Sequence, residues 1–200
     1  MVSINDVVKI GEIWWAKRNL AAPKTFAENE WDFGMFYQWG KNTGWSATNP
    51  LVNSDGGTVW DSSSQAGFDW ENQQVICPTG FRIPTRAEFD SLIAYGSVAE
   101  TINGVQGRLI GEMFLPFTGS RTGGLGNLSG TTRYWSGNQG GGAQTHAAAL
   151  NNLVGGLSIG ASTARNDAYP LRLIAIEPPS QGGSGLEKTR INKTVYAKKR

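Results

Sequence analysis

Cys77-Pro78-Thr79-Gly80-Phe81-Arg82-Ile83-Pro84-Thr85-Arg86-Ala87-Glu88-Phe89 carries the chain from a turn into a helix. Pro78 and Pro84 each disfavour the helical conformation in the residue before them, so 77–84 is a turn followed by a short extended run. Thr85-Arg86-Ala87-Glu88 matches a capping box: the Thr hydroxyl accepts from an amide of the first turn and the Glu carboxylate accepts from the cap amide. Phe89, Leu92 and Ile93 follow as an apolar stripe at helical spacing. A helix between Thr85 and Tyr95 is predicted.

Both ends of the domain read as strands. Residues 7–16, VVKIGEIWWA, form two short strands about a glycine turn. Residues 169–176 are a further apolar run of strand length, and in a domain whose termini lie close together these end strands are expected to pair. Residues 41–61 are polar and glycine-containing, which means long loops, and such loops are usually functional or disordered. Trp45, Trp60 and, a little further on, Trp70 punctuate this part of the chain. Each either stacks on a ligand or pins its loop to the core, and the second is the commoner use of tryptophan.

A chain of 200 residues is long enough for one core without disulfide staples. Its 27 glycines and 8 tryptophans, against 17% charged residues, describe turns and loops held by aromatic anchors and not by long helices. With Cys77 alone no internal disulfide forms, and the redox compartment stays open. No stretch approaches the roughly 20 apolar residues of a membrane span, and residues 1–10 lack the basic start and apolar run of a signal peptide. Pro178-Pro179-Ser180-Gln181-Gly182-Gly183-Ser184-Gly185 continues neither strand nor helix. The expected division is a domain over 1–177, a linker over 178–185 and a basic tail over 186–200. The tail has a charge of +5, which leaves the body of a chain with net charge +2 at −3. A slightly acidic body is a poor match for phosphate, which sets nucleic-acid binding by the main domain aside.

Six motifs in order carry a resemblance. They are GEIWWAKRNL at 11–20, FYQW at 36–39, CPTGFRIPTRAEF at 77–89, LPFTGSR at 115–121, YWS at 134–136 and AYPLRLI at 168–174. Over about residues 8–177 the chain resembles the Fibrobacter succinogenes major paralogous domain, a bacterial branch of the C-type-lectin-like superfamily. The resemblance implies an α+β, C-type-lectin-like fold with paired terminal strands, two helices and a second small antiparallel sheet under long loops. The second helix falls at or near 31–40, where the residues themselves do not indicate one.

Residues 136–167 are composed differently from their surroundings. They contain no Phe, Tyr, Trp, Lys, Glu or Met, and consist mainly of Gly, Ala, Ser, Thr, Asn, Leu and Val with single copies of His146, Arg165 and Asp167. Their position resembles that of the mutable region in the variable proteins of diversity-generating retroelements. There, randomised adenines in asparagine-type codons yield Gly, Ala, Ser, Thr, Asp, His, Arg, Leu and Val but not Lys, Glu, Met or Trp. Gln139 and Gln144 do not arise from such codons and are then fixed scaffold. The other reading is two small-residue strands with glycine-rich turns. Under either, short polar side chains on a rigid scaffold suit binding at low ordering cost. The candidate contacts are Asn138, Gln144, His146, Asn151, Asn152, Ser158, Ser162, Thr163, Arg165, Asn166 and Asp167.

Catalytic chemistry finds little support. One His and one Cys, His146 and Cys77, offer neither a zinc cluster nor a Cys/His nucleophile pair. The formylglycine-generating relatives of this superfamily depend on a cysteine pair that the chain lacks. The Glu-Pro-Asn or Gln-Pro-Asp loop and later Trp-Asn-Asp of calcium-dependent lectins are also missing. Asp32, Asp61, Asp69 and Glu71 have no spacing that sets two of them across a sugar ring, and a loop-bracing role is expected. Glycine runs at 123–126 and 140–142 lack the Lys-Ser/Thr of a phosphate loop and read as turns. The expectation is a ligand-recognition domain, not an enzyme, with no cofactor or metal. It is displayed on a bacterial surface, secreted or carried on a phage tail, and its ligand is a protein or glycan of a host or neighbouring cell. The alternatives are a fixed-specificity glycan-binding module, an enzyme or enzyme accessory in polysaccharide breakdown, and a structural module of a secreted assembly. The oligomeric state is left open.

Overall fold

Thr85 caps the single α-helix of the described residues, α1 (Arg86–Tyr95). Its hydroxyl accepts from Glu88 N at 3.3 Å while Glu88 Oε2 accepts from Thr85 N at 2.7 Å. Burial alone raises the pKa of Glu88, but the Arg82 fork and the Thr85 bonds outweigh it and hold the carboxylate below its ordinary range. Phe89 and Leu92 are buried, and the helix ends at Gly96 with φ of 90°. The structure, a computed structural model, describes residues 1–126, 130–141 and 144–180. The basic tail and the linker from Gln181 onward lie outside the described residues.

The strands are β1 (Val7–Ile10), β2 (Ile13–Ala16), β3 (Met35–Gln38), β4 (Gly44–Ser46) and β5 (Phe81–Arg82) before the helix. After it come β6 (Val98–Ile102), β7 (Val105–Ile110), β8 (Met113–Pro116), β9 (Arg121–Thr122) and β10 (Gly124–Leu125). The last are β11 (Thr131–Gln139), β12 (His146–Leu153), β13 (Gly156–Ala164), β14 (Ala168–Tyr169) and β15 (Ile174–Ala175). They make four sheets, ordered β1-β2-β15-β5, β10-β9-β14-β3-β4, β11-β12-β13 and β6-β7-β8. All named pairings are antiparallel. Among the described residues the chain is thus α+β, mostly small antiparallel sheets with one α-helix.

The terminal strands pair: Ile174 of β15 lies opposite Trp15 of β2. The β1–β2 turn needs Gly11, whose φ is 59°, a conformation that costs a side-chain-bearing residue steric energy. Two expectations need correction. The run at 169–176 is not one strand, because Pro170 has no N–H for a ladder and divides it. β14 stays beside β3, and the chain then crosses to β2, with Leu171 O accepting from Leu20 N at 3.0 Å and Leu173 O from Ala16 N at 2.9 Å. Residues 31–40 hold β3 and no helix. Gly34 and Gly40 bracket the segment at φ of 70° and 79°, and Phe36, Tyr37, Gln38 and Trp39 are all buried, so no solvent face remains for an amphipathic helix.

One core cluster gathers Tyr37, Trp39, Trp70, Cys77, Phe81, Trp135 and Leu173, and a second gathers Trp15, Phe89, Leu92, Met113, Tyr134 and Leu150. Trp45 and Trp70 are buried and Trp60 packs on Trp45 at 5.0 Å. All three pin loops. Cys77 is buried without a partner, and burial, against a smaller opposing effect of Lys24, pushes its thiol up to about 12. The folded thiol keeps its proton where the unfolded one ionises, near the usual 8.5, so this group's contribution to stability falls as pH rises from about 9 towards 12. Iodoacetamide at pH 8 is expected to modify native Cys77 at least a hundredfold more slowly than in urea. Equal rates contradict this burial.

Candidate binding face

β11, β12 and β13 hold most of 136–167. In the middle strand Ala147, Ala148, Ala149 and Leu150 are fully buried, because the sheet is packed on both sides. Tyr134, Leu150, Leu157 and Ile159 face the helix-bearing core. Trp135, Ala147 and Ala149 join the other core with Tyr37, Trp39 and Tyr169. Two indoles lock the sheet to β3: Trp135 Nε1 donates to Tyr37 O at 2.8 Å and Trp39 Nε1 donates to Ser136 O at 2.9 Å. Gly140 permits a close approach, since a Cβ there meets Ala161 O at 2.3 Å. With its middle covered, the sheet offers solvent its edge strand β13, its ends and one strip of cross-strand partners, Arg133, Asn151 and Ser158.

The candidate contacts fall into three sets. Gln144, Ser158 and Ser162 are exposed; Asn138, His146, Asn151, Asn166 and Asp167 are half-buried; Asn152, Thr163 and Arg165 are buried. The last three are corrected from contact to scaffold. Asn152 Nδ2 donates to Leu115 O at 3.0 Å, fixing β12 to β8. Thr163 lies opposite Ala147, on the packed side of the sheet. Arg165 donates to His146 O, Gln65 O and Gly67 O at 2.9, 2.8 and 2.9 Å and stacks 3.9 Å from the Trp39 ring centroid. An arginine so placed holds the 65–67 loop.

The remaining residues, Asn166 apart, gather at two places. At one end of the sheet are Gln144, His146 and Ser162, with the Arg165-held loop beside them. Phe68 in that loop is 63% exposed, and its carbonyl accepts from Gln139 N at 2.8 Å. A register shift in β11 after Trp135 lets Asn138 leave the ladder. Asn138 Oδ1 accepts from Arg86 N at 2.9 Å, and its Nδ2 donates to Asp69 Oδ1 at 2.9 Å. At the other place Arg133 Nε donates to Asn151 Oδ1 at 3.0 Å, Asn151 Nδ2 to Ser158 Oγ at 3.3 Å, and Arg133 Nη1 to Tyr169 Oη at 2.9 Å. Asp167 accepts from Tyr169 Oη at 3.2 Å and from Thr122 Oγ1 at 2.6 Å. Burial, with Asp167 adding to it and Arg133 opposing, raises the Tyr169 pKa, so the phenol stays protonated as a donor. Asn166 joins neither group through its side chain; its carbonyl accepts from Gln38 Nε2 at 2.9 Å.

No protein-family model, curated protein or solved structure matches the chain. The chemistry of the site therefore rests on these residues alone. Among the described residues no group of three or more His, Cys, Asp or Glu is placed to hold a metal ion. Asp32, Asp61 and Asp69 brace loops through Asn29, Lys41 with Ser63, and Asn138 respectively. No helix among them is long and apolar enough to cross a membrane. Arg133, Tyr169, Thr122 and Phe68 were not among the expected contacts, nor were the exposed Leu153, Val154 and Ala161. Arg133 precedes the compositional shift, and nothing in its neighbours marks it. Leu153 and Val154 lie at the β12–β13 turn, where an apolar residue has no core to enter.

Proposed function

We propose that this chain is a ligand-recognition domain with a C-type-lectin-like fold, that its binding face is built from 136–167, and that this face is diversified by a retroelement. It acts as a receptor-binding module on a bacterial surface, in secreted form or on a phage tail, and not as an enzyme. The ligand is a protein or glycan of a host or neighbouring cell. One observation carries the reading: in this segment short polar side chains reach solvent from a sheet whose middle is locked into two cores. Such a sheet tolerates changes at Gln144, His146, Ser158 and Ser162 without repacking, because surface substitutions away from special contacts cost within about 0.5 kcal/mol. Phe68 adds a large contact area at the rim, with little ordering cost. The paired terminal strands and the helix behind the 77–89 motif support the lectin-like assignment.

A second reading, a face of fixed specificity, draws support from Asn152, Thr163 and Arg165, which are bound into the scaffold within the same segment. Binding of the labelled chain to a panel of bacterial and eukaryotic cells tests the shared claim. Ser158→Trp and Ser162→Trp are each expected to lower retention on the cells that bind by at least tenfold, with the urea midpoint unchanged. Retention unaffected by either substitution, or absent from every cell of a broad panel, contradicts a binding face here.

A further inference from the structure

Between the loop at Gly119 and Ser120 and the start of β11 lies a recess of about 220 Å³, lined also by Thr131, Thr132, Arg133 and Tyr169. Its one charged wall is the Arg133 guanidinium. Two hydrogen bonds, to Asn151 Oδ1 and Tyr169 Oη, hold that group, and the Tyr169 ring centroid lies 5.6 Å from its central carbon. Arg133 takes part in none of the ion pairs among the described residues, and its Nη2 nitrogen bonds no described group. Asp167, the acid of this cluster, commits its two oxygens to Thr122 and Tyr169. Nη2 is left with its N–H groups on offer, on a planar guanidinium that the bonds at Nε and Nη1 pre-position, a donor suited to a carboxylate.

The rest of the lining comes from Gly119, Ser120, Thr131, Thr132 and Tyr169, a mix of polar and apolar groups such as the two faces of a sugar ring meet. Its volume is below the roughly 300 Å³ at which drug-sized pockets begin. A compact ring carrying hydroxyls and one carboxylate fits this lining better than an apolar group or an extended peptide. We infer that the recess binds a uronic acid unit, with its carboxylate on Arg133 Nη2. The inference rests on the reading of 136–167 as the ligand face, since Asn151 and Asp167 of that segment bond to the lining residues Arg133 and Tyr169. Arg133 and Tyr169 lie outside that segment. The fork is then a constant subsite beside a face that varies.

Titration of the full chain with methyl glucuronide, methyl glucoside and acetate, followed by amide chemical shifts, tests this. The expected result is glucuronide binding with a dissociation constant on the order of 1 mM and shifts at Gly119, Ser120, Thr131 and Arg133. Glucoside and acetate are each at least tenfold weaker. Arg133→Gln weakens the glucuronide at least tenfold with an unchanged urea midpoint, and Arg133→Lys, with charge but no fork, restores only part. Equal binding of glucuronide and glucoside, shifts away from the recess, or no loss in Arg133→Gln overturns the proposal. Acetate binding as tightly as the glucuronide overturns the sugar and assigns the fork to a protein carboxylate. Free monosaccharides need no receptor, and Ser162→Trp leaves these titrations unchanged, so failure of the wider binding face appears in cell retention and not here.

Discussion

Replacing Arg172 with methionine is expected to lower the folding free energy by about 4 kcal/mol, which for a domain of this size is a fall of about 10 °C in Tm. Arg172 is fully buried. Its Nε donates to Asn19 Oδ1 at 3.0 Å, Nη1 to Ala16 O at 3.2 Å and to Lys17 O, and Nη2 to Phe114 O at 3.0 Å. Those acceptors belong to the end of β2, the turn after it and β8, so one side chain holds three segments that share no ladder. Burial lowers the arginine's pKa, yet a guanidinium remains charged at any pH where the protein folds. Methionine fills most of the volume and leaves several buried acceptors without a donor, which is the costly asymmetry of hydrogen bonding. Lysine keeps the charge without the fork, and Arg172→Lys is expected to cost about 2 kcal/mol or more. Urea unfolding reads both. A loss below 1 kcal/mol in Arg172→Met contradicts the bracket role.

Arg165→Leu is expected to cost about 3 kcal/mol through the loss of three charge-assisted bonds to backbone and a stacked contact on Trp39. Its second effect is local. Without donors to Gln65 O and Gly67 O, the 65–67 loop loses its tie to the sheet, and hydrogen exchange of Phe68 and its neighbours is expected to speed up at least tenfold. A contact residue behaves in the opposite way: removing it leaves the urea midpoint and exchange unchanged and weakens binding alone. Unchanged stability therefore restores Arg165 to the binding face and removes Phe68 as a fixed rim contact.

Parts of this arrangement were legible because their causes are local. The capping box of Thr85 and Glu88 is written in four consecutive residues, and the β1–β2 hairpin in an apolar run around Gly11. The buried arginines had no such signature. Arg121 reaches Ser46 O and Thr48 O, Arg165 reaches Gln65 O and Gly67 O, and Arg172 reaches Ala16 O and Phe114 O. Their partners are carbonyls from distant loops, which every residue owns and no sequence marks. Asn152 could have been flagged, since it shares strand parity with Leu150 and so points to the same packed side. The aromatic run at 36–39 resembled a possible helix only by analogy; bulky side chains on both faces fit a strand covered on both sides.

Sequencing the DNA around the coding region tests the diversified face most directly. The expected result is a near-copy of the stretch encoding 136–174, beside a reverse-transcriptase gene, that differs from it only where the copy has adenine. The differing codons are expected to include those of exposed positions such as Ser158 and Ser162, with the codon for the loop-holding Arg165 unchanged. A genome with no such copy contradicts diversification by a retroelement and leaves a module of fixed specificity on the same scaffold.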